Sequence, residues 1–209
     1  MIQGVRNIIF DLGGVLLNID YNLTVQAFQE LGIQNFDALY SQMQQVEIFD
    51  LLETGKIGED EFVQKIQELS PVPLTHTQIV QAWNALLLDF PLRRLQILQQ
   101  LQLHYNIFLL SNTNEIHERC FNKQLSSLNG IPTLAVFFDK VYYSHKVGLR
   151  KPMKEIFELV LNENGLKAEE TLFIDDSPQH IATASGLGIQ TIFMEKGMTI
   201  ENDIFKPKG

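Results

Sequence analysis

The feature that most limits the fold is a set of short apolar runs without polar alternation, each bounded by turn residues: 7–10, 107–110, 136–143, 171–174 and 189–193. A half-exposed strand alternates apolar and polar side chains, because successive residues point to opposite faces. Continuous runs instead predict strands covered on both faces, the condition of a parallel sheet. Helical patterns at 91–104, 115–128, 152–164 and 178–187 separate the later runs. Pro152 and Pro178 suit a first helical turn, and Gly165 and Gly188 a helix stop. Strand then helix, repeated with short connections, predicts an α/β fold built on a doubly wound parallel sheet.

Residues 16–90 break that rhythm. They hold four or five amphipathic helical segments, among them YNLTVQAFQELGI, GEDEFVQKIQEL and THTQIVQAWNALLLDF, with no strand pattern; SPVPLTH reads as a loop between helices. A helical insertion after the first strand would hang over the carboxyl ends of the strands, where open α/β sheets bind ligands. The expected organisation is therefore a core domain of residues 1–15 and 91–209 with an inserted α-helical cap domain of residues 16–90. Trp83, Phe28, Phe36, Phe49 and Phe62 are expected to form the core of that cap.

At 209 residues and 45% hydrophobic content, the chain can bury a core of this size. A formal net charge of -9, with no Lys/Arg run, argues against a nucleic-acid partner, which demands a basic face to displace counterions. The single cysteine, Cys120, cannot form an internal disulfide, which fits a reducing compartment. There is no signal-peptide pattern, and no run reaches the roughly 18 apolar residues of a membrane span. The expectation is a cytoplasmic protein with a small-molecule partner and neither membrane nor nucleic-acid contacts. The oligomeric state is not legible.

The chemistry lies in what ends each expected strand. Asp11 follows the first, Ser111 the second in LLSNTN, and Asp175 with Asp176 the fourth, while Lys151 opens the helix after the third. Read singly, each is an ordinary cap or turn residue. Together they converge on one sheet edge, and adjacent acids at a buried strand end are costly without a cation. Three carboxylates, a hydroxyl and a lysine fit magnesium-assisted phosphoryl transfer: Mg²⁺ takes hard oxygen ligands, Asp11 attacks phosphorus, Lys151 offsets charge, and Ser111 donates to phosphate oxygens.

In this order and across the whole chain, FDLGGVL, LLSNTN, GLRKP and FIDDS resemble the four motifs of the haloacid dehalogenase superfamily, in its phosphatase branch with a Rossmann-like core and a small helical cap. The resemblance implies Asp11 as nucleophile and metal ligand and the Gly13 carbonyl as a further metal ligand. It implies Ser111, Asn112 and Gly14 as phosphate contacts, Lys151 as the catalytic lysine, and Asp175 and Asp176 as the acids holding Mg²⁺. The chain departs from the pattern at Gly13, where most such phosphatases carry an aspartate that protonates the leaving alcohol. General acid–base help is worth roughly 10²–10⁴ in rate, so a substrate with a good leaving group needs it least. A sugar phosphate esterified at the anomeric oxygen is one. FDLGGVLLNIDYN and FDKVYYSHKVGL are likewise similar to a bacterial glucose-1-phosphatase-like branch that lacks this aspartate. Asp20 and Tyr21 are candidates to meet sugar hydroxyls, although Asp20 also suits the cap of the first inserted helix.

Two alternatives stay open. A metal-independent dehalogenase would suit Gly13 but has no use for Asp175 beside Asp176. A catalytically weak protein binding a phosphometabolite or a protein partner would not need the nucleophile set. His76, His104, His117, His145 and His180 show no metal-ligand spacing. His145, Lys146 and Arg150, just before Lys151, are candidates to line the entrance with positive potential for an anionic substrate, although a solvated loop is the simpler reading, and Arg93 and Arg94 read as water-facing helix residues.

Overall fold

The computed structural model describes residues 2–45 and 47–206. Five parallel strands, β1 (Asn7–Phe10), β2 (Asn106–Ser111), β3 (Lys140–Tyr143), β4 (Thr171–Asp175) and β5 (Gln190–Phe193), stand in the order β3-β2-β1-β4-β5. The chain leaves β1 toward β2 and β3, then returns to β4 on the other side of β1. That reversal puts a crevice at the carboxyl end of β1, between its two neighbours.

The central stretches of β1, β2 and β4 are apolar and buried because the sheet is covered on both faces. Ile8, Phe10, Ile107, Leu109, Leu172 and Ile174 pack on one face with α6 (Leu92–Leu101) and α7 (Glu115–Asn129). Ile9, Phe108, Leu110 and Phe173 pack on the other with α9 (Lys154–Glu163) and α10 (Pro178–Gly186). Each fully buried side chain of this kind is worth roughly 1.5–3 kcal/mol.

Between β1 and β2 lie α1 (Tyr21–Glu30), α2 (Phe36–Gln45), α3 (Ile48–Glu53), α4 (Glu59–Leu69) and α5 (His76–Asn84). They bury a second apolar cluster that includes Phe28, Phe36, Phe62 and Trp83, which α7 joins only through Ile116. Local sequence starts these helices: Asp20 accepts from the Asn22 N–H at the head of α1, and Thr75 with Gln78 forms a capping box on α5. The two crossings between the bodies run side by side, Asn18 N–H donating to Asp89 O at 2.9 Å and Leu88 N–H to Asn18 O at 3.0 Å. Among the described residues no helix is long and apolar enough to cross a membrane.

The structure corrects several expectations. Strand β3 begins at Lys140 rather than 136, because the apolar residues Leu134–Phe137 form a 3-10 turn capped by Thr133. Helix α9 starts at Lys154, so Lys151 and Pro152 lie in the turn before it. Arg94 does not face water. It is buried where the first turn of α6 meets both crossings and the C-terminal segment, its Nε donating to Glu201 at 2.9 Å and its Nη1 to Asn18 at 3.0 Å. After β3, residues 144–147 form the short helix α8 (Ser144–Val147), and the His145 ring is buried against Thr113 O and Glu118 rather than solvated.

Candidate active site

Asp11 follows β1 directly, and its N–H extends the ladder to Ile174 O at 2.9 Å, so the carboxylate is fixed at the crevice floor. Asp175 ends β4 and is fully buried; Asp176 follows it. Lys151 arrives from the turn after α8. Its backbone is clasped by one side chain: Asn112 Oδ1 accepts from Lys151 N–H, and Asn112 Nδ2 donates to Lys151 O, both at 2.9 Å. This clasp explains the late start of α9 and aims the lysine inward, 1% exposed. Nζ donates to Asp11 Oδ1 and to Asp175 Oδ2, each at 2.6 Å, and lies 5.4 Å from the centre of the Phe173 ring.

The electrostatics follow from that packing. Burial pushes Asp11 up to about 6; Lys151 opposes the rise, and Asp175 and Asp176 add to it. Asp175 is buried as well, but Lys151 and His180 outweigh the desolvation and hold it down at about 2. Lys151 keeps its proton despite burial because two carboxylates face it. Asp176 is raised by partial burial and by its neighbour Asp175. Oxygens of Asp11, Asp175 and Asp176 lie within 4.8 Å of one another, a hard-oxygen donor set that fits Mg²⁺.

The glycines have separate reasons. Gly14 sits at φ +75°, and a Cβ there would overlap the Asp176 carboxylate. Its N–H is given to Leu17 O at 2.9 Å, so the expected phosphate contact has no free donor at Gly14. Gly13 is not in the left-handed region; a Cβ on it would meet Ile19 Cδ1 at 3.0 Å. A side chain at this position would therefore press on the end of the Ile19 side chain.

A cavity of about 730 Å³ opens between the crevice and the inserted helices. Gly13, Ser111 and Asn112 line its floor, and Tyr21, Glu53 and Trp83 its roof. The Ser111 hydroxyl has only a long 3.5 Å contact, to Asn112 O, leaving it available to a ligand. Asp20 is occupied as the α1 cap. Three residues that sequence reasoning left aside belong to this region. His180 Nδ1 lies 3.0 Å from both oxygens of Asp175; its place two residues into the helix after FIDDSP was the available signal. Glu53 and Arg150 form the other pair, with 3.0 Å between carboxylate and guanidinium, and no local signal marks it.

Fold and site together define a hydrolase with a Rossmann-like α/β core, whose crevice holds a carboxylate–lysine cluster beside the inserted helices. Residues 5–188 match the haloacid dehalogenase-like hydrolase family, and the chain belongs to that family. It is 36% identical over 193 residues to a D-ribitol-5-phosphate phosphatase of Bacteroides thetaiotaomicron, covering 92% of this chain and 93% of the relative. A haloacid dehalogenase family enzyme from the same organism superposes with a TM-score of 0.90 at 34% identity, covering 98% and 100% of the two chains. The same enzyme in complex with magnesium and inorganic phosphate gives 0.81 at 35% identity over 93% and 96%.

Proposed function

We propose that this protein is a Mg²⁺-dependent phosphatase of a small polyhydroxylated phosphate ester, acting through an aspartyl-phosphate on Asp11. The observation that carries the reading is the Lys151 ammonium, seated between Asp11 and Asp175 at 2.6 Å from each, with Asp176 beside them. A relative 35% identical, solved in complex with magnesium and inorganic phosphate, supports Mg²⁺ as the ion for this donor set. In this reading residues 16–90 are the cap and residues 1–15 and 91–209 the catalytic core.

Mg²⁺ held by Asp11, Asp175, Asp176 and the Gly13 carbonyl would neutralise the site and polarise the phosphoryl group. Lys151 keeps the attacking Asp11 oriented and charged and offsets the anionic phosphate. Ser111 donates its hydroxyl to a phosphate oxygen, while Asn112 acts through Lys151, whose backbone it holds. Asp11 forms a bond to phosphorus as the alkoxide leaves, and water then hydrolyses the acyl phosphate, returning the carboxylate.

Two substrate classes follow from different observations. Gly13, with Ile19 against it, favours a sugar 1-phosphate, whose anomeric oxygen leaves without strong acid help. The relative named for D-ribitol 5-phosphate favours a polyol phosphate esterified at a primary alcohol. Phosphate release from both classes, with Mg²⁺ and with chelator, for the native chain and Asp11→Asn, tests the proposal. Release that requires Mg²⁺ and is lost in the variant is expected; release from neither class would refute it.

A further inference from the structure

Asp175 is fully buried, and an anion so placed is stable only when donors meet its oxygens. Three groups supply them. Ser177 N–H donates to Oδ1 at 2.7 Å, Lys151 Nζ donates to Oδ2 at 2.6 Å, and His180 Nδ1 lies 3.0 Å from each oxygen. An ionised carboxylate can only accept, so the ring proton is assigned to Nδ1, shared between Oδ1 and Oδ2. Ser177 and Lys151 each hold one oxygen. The imidazole reaches both, so rotation of the carboxylate about its Cβ–Cγ bond would carry one oxygen out of reach of Nδ1. His180 sits in the first turn of α10, which Pro178 opens, and its side chain is only 17% exposed. The helix that follows the acidic pair thus keeps the ring in place.

His180 does not line the 730 Å³ cavity. Its route to the chemistry is a chain of hydrogen bonds, from His180 Nδ1 to Asp175 at 3.0 Å, from Lys151 Nζ to Asp175 at 2.6 Å, and from the same Nζ to Asp11 at 2.6 Å. The ammonium keeps its place over the nucleophile only while both carboxylates that it bridges stay fixed. Asp11 is tied to the sheet through its own N–H. The Asp175 side chain depends on the head of α10, where His180 is the one side chain that reaches both of its oxygens.

We infer that His180 is a positioning residue for phosphoryl transfer: through Asp175 it holds the Lys151 ammonium over Asp11 and orients the Asp175 carboxylate for Mg²⁺. The inference rests on the phosphatase reading and adds to it a residue that acts only through another. Hydrogen-bond partners behind a metal-binding carboxylate are worth roughly 10- to 100-fold in metal affinity or activity. The contact lies on the phosphoryl side of the site, so its loss falls on kcat and on Mg²⁺ and leaves the discrimination between leaving groups unchanged.

The test compares the native chain with His180→Leu, which fills the space without a donor, and with His180→Asn, whose Nδ2 lies as many bonds from the backbone as Nδ1 of the imidazole. The first readout needs no turnover: the Mg²⁺ concentration that gives half of the maximal rise in Tm. It should increase roughly 10- to 100-fold in His180→Leu, and His180→Asn should recover most of that loss. The second readout is kcat and KM for D-ribitol 5-phosphate and for p-nitrophenyl phosphate. In His180→Leu kcat should fall by a similar factor on both esters while each KM stays within about twofold, and His180→Asn should again recover it. Should His180→Leu not fold, His180→Ala carries the same expectations. A donor-free variant with native Mg²⁺ response and native kcat would overturn the inference. So would equal impairment of the donor-free variant and His180→Asn, which would make the ring a packing element. Failure of the native chain to hydrolyse either ester with Mg²⁺ would instead refute the phosphatase reading, while the Mg²⁺ titration would still decide whether His180 orients Asp175.

Discussion

Replacing Lys151 by Met tests the charge balance of the site most directly. The substitution keeps an unbranched apolar stem over Phe173 but removes the cation that lies 2.6 Å from Asp11 and 2.6 Å from Asp175. Removing one partner of a buried ion pair costs roughly 3–5 kcal/mol, because the remaining charge stays desolvated. For a chain of this length each kcal/mol shifts Tm by roughly 2–4 °C, so at pH 8 without metal Tm should fall by roughly 6–20 °C. The loss should depend on pH in a fixed direction. Asp11 is already raised to about 6, and loss of Lys151 raises it further. A carboxyl raised in the folded state destabilises when ionised, so the variant regains stability as pH falls through that folded value toward 3.8. The gap to the native chain should therefore narrow at pH 5. Mg²⁺ should narrow it at pH 8, since it binds the same carboxylates and replaces the missing charge. Thermal melts at pH 5 and 8, with Mg²⁺ and with chelator, read every term. A variant with native Tm at pH 8, or with a gap insensitive to both pH and Mg²⁺, would refute the argument.

Gly14→Ala places a Cβ against the Asp176 carboxylate and forces an L residue into the left-handed region, at roughly 1–2 kcal/mol of backbone cost. Its Mg²⁺ requirement for phosphate release should rise well beyond what a Tm loss of a few degrees explains; an unchanged Mg²⁺ titration would disprove the packing role. His117 is buried between Asn114 and the Trp83 carbonyl, and burial lowers its pKa to about 4 from 6.5. Below 6.5 the unfolded chain takes up a proton that the folded chain refuses until about 4, so this residue withdraws about 3 kcal/mol of stability across that window as pH falls. Asp11 acts in the opposite direction over an overlapping range, so the readout is the stability difference between the native chain and His117→Gln against pH. A difference that stays flat from pH 7 to 4 would exclude this origin.

What the sequence made legible is what a single local pattern encodes. The runs Ile8–Phe10 of β1 and Leu172–Ile174 of β4 are apolar because both faces of the sheet are covered, and the polar residue ending each run marks the crevice, so Asp11, Ser111, Asp175 and Asp176 could be placed without coordinates. Residues 136–138 misled because a short apolar run does not separate a strand from a 3-10 turn, and here Leu134–Phe137 form such a turn, capped by Thr133. Arg94 looked solvated because its partner Glu201 lies 107 residues away on the C-terminal segment. Glu53 and Arg150 meet only through the docking of the inserted helices on the core, which no local window encodes. Asn112 shows the subtler case. Its position was legible, but its side chain is spent on the Lys151 backbone, a role that emerges only when the two loops meet.

These contacts also bear on the absent acid at Gly13. Ile19 occupies the space beside Gly13, and it belongs to the first crossing between the two bodies, bridged in antiparallel fashion to Leu87 of the second. An aspartate at 13 would press on that crossing, so loss of the acid and tight packing of the crossings are two sides of one arrangement. The cavity wall on the inserted helices carries Tyr21, Glu53 and Trp83, and Arg150 faces them from the core. General acid help is worth roughly 10²–10⁴ in rate, so a phosphatase without an acid at position 13 should discriminate steeply by leaving group, kcat/KM rising as the leaving alcohol becomes more acidic.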